Sequence, residues 1–244
     1  MKLEIRPVEH LPEISSGMNL PVRLLEAIRA SGIDLQPGDI VAVTQKVVSK
    51  AEGRLVDLST IEPSTHSAAI ARRMKKDARL VEVILRESRR IVRMRGEVLI
   101  CETHHGFICA NAGVDQSNVE GPHTVTLLPR DPDQSARNLA RVLGCGILIT
   151  DTFGRPWREG LLDAAIGIAR VPAFIDLRGT DDTYGHRLQA TMLAAVDALA
   201  AAAGLVMGKT SRTPAAVISG FPWNAAPHTA ASMQLRSPDR DLFL

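Results

Sequence analysis

The chain has 244 residues, of which 45% are hydrophobic, 23% charged and only 3% aromatic. That length and balance suit one large globular unit or two small ones packed together, with a core built from Val, Ile, Leu and Ala. A formal net charge of +2 and so few aromatic rings argue against a nucleic-acid partner.

The segment from Met1 to Pro7 has no apolar signal core. Leu20-Pro21 opens a short helix carrying Leu24, Leu25 and Ile28, with Gly32 placed to cap its end. Pro37-Gly38 is a turn before a strand over Asp39 to Thr44. The run Thr44 to Lys50 leaves that strand with two lysines and two hydroxyls; it reads as a solvated strand end or as a phosphate contact. Residues 65–77 read as a basic helix, while Val81 to Leu85 fits strand or helix, since periodicity does not separate the two. The basic run from Arg86 to Arg95 reads as a solvated face or as a wall for an anionic ligand.

Val98 to Thr103 and Phe107 to Ala110, joined by His104-His105-Gly106, read as a hairpin. Asp131-Pro132 is an N-cap with a first-turn proline, opening a helix that buries Ala136, Leu139, Ala140 and Leu143 and stops at Gly144. A buried strand, Gly146 to Thr150, runs straight into Asp151. The periodicity then predicts a helix over Leu188 to Ala203, burying Leu188, Met192, Ala195, Leu199 and Ala203; the apolar stretch from Leu188 to Met207 is broken by Asp197 and is no membrane span. Pro214 to Ile218 is a last short strand before an irregular, proline-containing tail. Strand and helix patterns alternate throughout, which predicts a mixed α and β fold with no linker to mark a domain boundary. Cys101, Cys109 and Cys145 lack CxxC spacing and read as buried thiols in a reducing compartment, the cytoplasm.

Two acidic positions follow apolar strands. Asp151 sits in Thr150-Asp151-Thr152-Phe153-Gly154-Arg155-Pro156-Trp157-Arg158, and Asp115 in Asn111-Ala112-Gly113-Val114-Asp115-Gln116-Ser117-Asn118. Each alone reads first as a turn or cap residue. As a pair on polar loops they offer the hard oxygen ligands that Mg²⁺ and Mn²⁺ prefer beside phosphate. Gly204 to Ser211 imitates a P-loop but has three residues, not four, between its glycines and follows a helix, so a P-loop is rejected. His104 and His105 read as turn residues. No GxSxG, HExxH or GxGxxG occurs, and the remaining histidines show no metal-ligand spacing.

Five ordered blocks resemble the F420-0:gamma-glutamyl ligase (coenzyme F420-0:L-glutamate ligase) family across nearly the whole chain. They are Leu11-Pro12-Glu13-Ile14; Asp39 to Gly53; Asn111 to Asn118; Asp151 to Arg158 with Asp163-Ala164-Ala165-Ile166-Gly167; and Asp176 to Gly179 with Asp182 and Gly185. The ending Arg236 to Phe243 is also similar. The resemblance implies an α+β fold of two intertwined subdomains without a P-loop, working as one catalytic unit over residues 1–244 and forming a homodimer.

It further implies GTP-dependent ligation of L-glutamate to F420-0 through an acyl phosphate, with two Mg²⁺ or Mn²⁺ ions and an activating K⁺. By the same resemblance Asp115 and Asp151 hold the first metal and Thr152 helps to hold the second. Leu11, Pro12, Glu13, Ile14, Gln45, Lys50, Asn118, Met207, Gly208 and Lys209 contact the nucleotide. From their charge alone, Lys50, Arg155 and Arg158 are candidates to hold anionic groups of the substrates, and both arginines read equally as a salt bridge within their turn. Met207 and Lys209 depart from the polar or acidic residues expected there, and neither side chain is a Mg²⁺ ligand. The same residues also fit a related nucleotide-dependent ligase with another acceptor, or a non-catalytic nucleotide-binding paralogue.

Overall fold

Pairing of β-branched runs explains the centre of the molecule. The computed structural model describes residues 2–242; Phe243, in the block at the end of the chain, lies outside them. In chain order the first half contains β1 (Glu4–Pro7), α1 (Leu20–Ala30), β2 (Ile40–Thr44), α2 (Gln45–Ala51), β3 (Leu55–Asp57), α3 (Thr65–Met74), α4 (Ala78–Arg86), β4 (Ser88–Arg95), β5 (Val98–Thr103), β6 (Ile108–Ala110) and β7 (Thr124–Thr126). The second half contains α5 (Pro132–Leu143), β8 (Gly146–Arg155), β9 (Arg158–Ala169), β10 (Ile175–Asp176), β11 (Met192–Leu193), α6 (Ala195–Met207) and β12 (Ala215–Ser219). This is an α+β fold.

A five-stranded sheet, ordered β1-β12-β2-β8-β9, forms the main layer. β2 and β8 pair in parallel, and the other neighbours are antiparallel. Ile40, Val41, Ala42 and Val43 on β2 and Ile147, Leu148 and Ile149 on β8 are all buried. Such unbroken apolar runs belong to strands covered on both faces. α5 begins against the face that carries Ile149: a Cβ at Gly167, paired with Ile149, would lie 2.5 Å from the Pro132 carbonyl oxygen. α6 covers the other face, where Gly204 meets Asp163.

A second apolar core forms from the segment between α2 and β8. Leu58, Ile70, Met74, Val81, Ile84, Leu99, Cys101 and Val125 pack together there, around the β4-β5-β6 sheet and the β3-β7 pair. Phe107, from the same stretch of chain, joins the first core instead, so the two cores interlock.

The capping expectations hold at α5: Asp131 accepts from the Gln134 N–H at 2.8 Å, Pro132 fills the first turn, and Gly144 ends the helix at φ 76°. Val81 to Leu85 resolves as part of α4, whose buried Val81, Val83 and Ile84 turn inward. The basic helix ends at Met74, because Lys75 takes a left-handed conformation.

Three expectations are corrected. The helix predicted from Leu188 begins at Ala195: backbone bonds from Gly179 N to Leu188 O and from Leu177 N to Thr191 O, with the β10–β11 pair, hold the preceding residues extended. Thr44 to Lys50 is no solvated strand end, since α2 starts at Gln45 and buries Gln45, Val47, Val48 and Ser49. Asp151 is on no loop, because β8 continues through it to Arg155 and turns back into β9 as one long hairpin. Among the described residues, no helix is long and apolar enough to cross a membrane.

Candidate active site

One end of the main sheet gathers most of the polar segments singled out by the sequence. β2 finishes at Thr44, level with Thr150 of β8, and Thr44 N donates to Pro214 O at 2.9 Å. Val8 N donates to Ala215 O at 2.8 Å. The chain therefore leaves β1 toward Leu11–Ile14, leaves β2 into α2, and enters β12 from the Gly208–Thr213 loop at the same end. β8 and β9 run on past it.

The 111–118 loop arrives there from the second core. Asn111, Ala112 and Gly113 are all at positive φ, as is Asn118 at 55°. A run of left-handed residues that includes a buried alanine costs conformational energy and is a mark of functional loops. The loop is pinned at Asp115, whose N–H and C=O exchange bonds with Thr126. The Asp115 carboxylate accepts from the Ser117 N–H at 2.8 Å and from Ser117 Oγ at 2.9 Å.

Lys46, in the first turn of α2, binds this loop. Its Nζ lies 2.7 Å from Asp115 Oδ2 and donates to Ser117 O at 2.6 Å and to Ser117 Oγ. Burial pushes the Asp115 carboxyl up, but the bonds from Lys46 and the Ser117 N–H outweigh it, and the group ends below its ordinary value. Asp151 goes the other way. Burial raises it to about 7, the negative charges of Asp115 and Asp163 add to the rise, and the Thr152 N–H and Lys46 oppose it. The same Asp151 charge helps burial push Cys109 of β6 up to about 12. Lys46, paired with Asp115, and Asp115 itself are thus both near enough to act on the Asp151 carboxyl through space.

Strand alternation separates Asp151 from its neighbour. Asp151 and Phe153 point to the face where β6 lies, and Phe153 meets Phe107 with ring centroids 6.4 Å apart. Thr152 points to the opposite face and donates its hydroxyl to Asp163 Oδ1 at 2.6 Å.

The nucleotide candidates lie around this centre to different degrees. Lys50 pairs with Glu13, tying the exposed 12–13 segment to α2, while Ile14 is buried. Gln45 is buried and accepts from Ser49 Oγ at 2.8 Å, which commits its side-chain carbonyl to the helix. Leu11 packs against the main core, Pro12 is exposed and Asn118 lies exposed on its loop. Met207 is buried at the end of α6, its carbonyl accepting from Thr213 Oγ1 at 2.7 Å; Gly208 turns the chain at φ 52° and Lys209 is exposed. Arg155 is not gathered in: four residues of strand, about 13 Å, separate it from Asp151, and its guanidinium donates to Glu159 O within the hairpin turn.

The donor set fits a hard divalent cation. Asp115 and the Ser117 hydroxyl already hold a cationic nitrogen, and the buried Asp151 carboxylate, which feels the charges of Asp115 and Lys46, is favoured in its ionised form by added positive charge. Among the described residues no third His, Cys, Asp or Glu completes a cluster able to hold a metal alone.

The sequence offers Lys46 only as one of two lysines for a phosphate contact and Asp163 only as part of a family block; neither is given a role at the acidic centre. A signal for Lys46 was present: with Lys50 four residues on, it shares one helical face directly after a buried strand. The family block contains Asp163 without a role, because its meaning comes from the register that sets it opposite Thr152.

A family profile described as F420-0:Gamma-glutamyl ligase matches residues 9–220. A protein of Methanopyrus kandleri named coenzyme F420:L-glutamate ligase is 44% identical, covering 99% of this chain and 97% of its own length. Proteins of the same name from Methanothermobacter thermautotrophicus and Archaeoglobus fulgidus are 42% and 36% identical, covering 91% and 100% of this chain and 91% and 97% of their own lengths.

Proposed function

Because this chain belongs to the F420-0:gamma-glutamyl ligase family, we propose that it joins L-glutamate to F420-0 with GTP as phosphoryl donor. The observation that carries this reading is the meeting of Asp115 and Asp151 around Lys46, at the sheet end where the 11–14, 45–50 and 208–209 segments also converge.

A carboxylate does not condense with an amine at neutral pH, because its oxygen is too poor a leaving group. Transfer of the terminal phosphoryl of GTP to the F420-0 carboxylate breaks one P–O bond, forms another and releases GDP. The glutamate amine then attacks the acyl carbon, phosphate departs with the C–O electron pair, and the amine proton passes to solvent or phosphate. Asp115 and Asp151 would hold a Mg²⁺ or Mn²⁺ ion, which when bound would supply neutralisation of the phosphate charge.

The chain's own contribution is positioning. Asp115 and Asp151 are the residues that would hold the cation, with Ser117 beside them. Lys46 and Lys50 sit where α2 meets the sheet end and supply point charges for phosphate oxygens. The route needs no protein nucleophile, and the three buried cysteines fit that: burial pushes each thiol up, Cys109 and Cys145 to about 12. A second cation and an activating K⁺ remain part of the same reading, as does cytoplasmic work as a homodimer, but the Thr152 hydroxyl expected to help hold that cation points away from the Asp151 face and is given to Asp163.

The test is direct. Purified protein incubated with F420-0, L-glutamate, Mn²⁺ and GTP, or ATP in parallel, is followed by mass spectrometry and GDP release. One glutamyl unit added with GTP, and little with ATP, supports the proposal. Nucleotide hydrolysis without a glutamylated product, or no turnover at all, sinks it.

A further inference from the structure

Asp163 stands opposite Thr152 in the β8–β9 ladder and accepts its hydroxyl at 2.6 Å. Its other oxygen presses on α6. A Cβ at Gly204 would lie 2.5 Å from Asp163 Oδ2 and 2.9 Å from Cγ, so a side chain at 204 and this carboxylate cannot share the space. The helix is fixed at that height: Asp197 Oδ1 accepts from Ala165 N at 2.9 Å, two residues along β9 from Asp163. On the far side, the Thr152 N–H donates to Asp151 Oδ1 at 2.9 Å. An unbroken line of contacts therefore runs from the Gly204 slot through Asp163 and Thr152 to the carboxylate of Asp151.

We propose that Asp163 is a positioning residue for the acidic centre: seated in the slot left by Gly204, it locks the Thr152 hydroxyl and so fixes the strand that aims the Asp151 carboxylate. A threonine hydroxyl in a strand has alternative staggered positions, and a charged acceptor selects one of them. At this height β8 has passed the end of β2 and, among the described residues, pairs with β9 alone, so a cross-hairpin bond has more to hold than it would inside the sheet. The inference rests on the reading that Asp115 and Asp151 hold a divalent cation.

The experiment measures Mn²⁺ binding by calorimetry, without nucleotide, on the wild type, Asp163→Ala, Asp163→Asn, Gly204→Ala, Thr152→Val and the Asp163→Ala/Thr152→Val double variant. Circular dichroism verifies folding. Removal of a partner that orients a ligand lowers metal affinity about 10–100-fold. That loss is expected for Asp163→Ala, Thr152→Val and Gly204→Ala, with the double variant no worse than either single one. Asp163→Asn keeps an acceptor for the hydroxyl and stays near wild type. The amide of Thr152 provides a second readout that needs no metal: its hydrogen-exchange protection falls about tenfold or more in Asp163→Ala. A folded Asp163→Ala protein with unchanged Mn²⁺ affinity and unchanged Thr152 protection overturns the proposal. If the wild type binds no Mn²⁺, the metal reading falls, and Thr152 protection alone decides the role of Asp163.

Discussion

Lys46 Nζ lies 2.7 Å from Asp115 Oδ2, and the same ammonium acts on Asp151 across the centre. A tethered cation between two carboxylates competes with a free one. On the proposed function, a divalent ion loading beside Asp115 would move Lys46 aside and release it toward the phosphates of a nucleotide. The two bindings then favour one another, because each satisfies a charge that the other uncovers.

Lys46→Met is therefore expected to act in opposite directions on the two ligands. Without nucleotide, Mn²⁺ binds about tenfold tighter or more, because a unit charge at contact distance has been removed. Binding of a non-hydrolysable GTP analogue weakens by a similar factor, and addition of the analogue no longer enhances Mn²⁺ binding. Titration calorimetry of the four combinations measures the coupling. Unaltered or weaker Mn²⁺ binding by a folded Lys46→Met protein removes the counter-ion role.

The pH dependence follows from Asp151. Its folded-state value of about 7 lies above the ordinary 3.8, so the folded protein holds this proton more tightly than the unfolded chain. Metal-free stability is then fully favoured below the ordinary value, declines as pH rises from 4 toward 7, and is flat above. Asp151→Asn abolishes that decline: the variant equals the wild type near pH 4 and exceeds it by roughly 1–3 kcal/mol above pH 7. Urea melts of metal-free protein at a series of pH values give the curve. A wild-type-to-variant difference that does not change with pH refutes the assignment. Mn²⁺ added to the wild type at pH 6 should also release about one proton, and none at pH 8.5.

Much of this architecture is legible in the sequence where the signal is local. The Asp131-Pro132 cap, Gly144, the β-branched run of β2 and the buried strand before Asp151 are short-range statements, and each is found in place. What escapes is non-local. The apolar spacing from Leu188 imitates a helix, yet those residues pair across β10 and β11 before α6 begins. Asp151 followed by polar residues imitates a strand end, because no periodicity announces that β9 will return alongside it through Leu161 and Asp163. Asp115 and Asp151 are visible as acids after apolar runs, but Lys46 between them and Asp163 behind Thr152 belong to register and packing. Arg155, plausible by its nearness in the chain, is carried away from Asp151 by strand geometry alone.

Packing makes Gly167 a structural requirement distinct from the chemistry. A Cβ there would sit 2.5 Å from Pro132 O and 2.6 Å from its carbonyl carbon, backbone atoms at the first turn of α5. Gly167→Ala is expected to lower stability by roughly 1–3 kcal/mol, the range for overpacking against atoms that cannot rotate away. The clash is with α5, whereas Asp151 is held from the other side through Thr152 and Asp163, so Mn²⁺ affinity of the folded fraction is expected to stay near wild type. Thermal melts paired with calorimetry separate the two. A variant as stable as the wild type means that α5 is free to shift.

The last prediction concerns the arm of the β8–β9 hairpin. Past Thr150 the edge of β8 next to β2 loses its partner, because β2 has ended, and the arm continues as a two-stranded ribbon. Leu161 is 61% exposed and Leu162 41% exposed on this arm, with Trp157 at its turn 82% exposed. A two-stranded ribbon has little stability of its own in water, and clustered apolar side chains at its tip call for a cover. A second copy of the chain offers a self-complementary one, with two arms exchanged about a twofold axis. Sedimentation equilibrium is then expected to give a dimer for the wild type. Leu161→Lys, at a position that no core contact requires, shifts it to monomer while the circular dichroism spectrum is retained. A monomeric wild type, or a Leu161→Lys protein that dimerises as tightly, means that the arm serves some other surface.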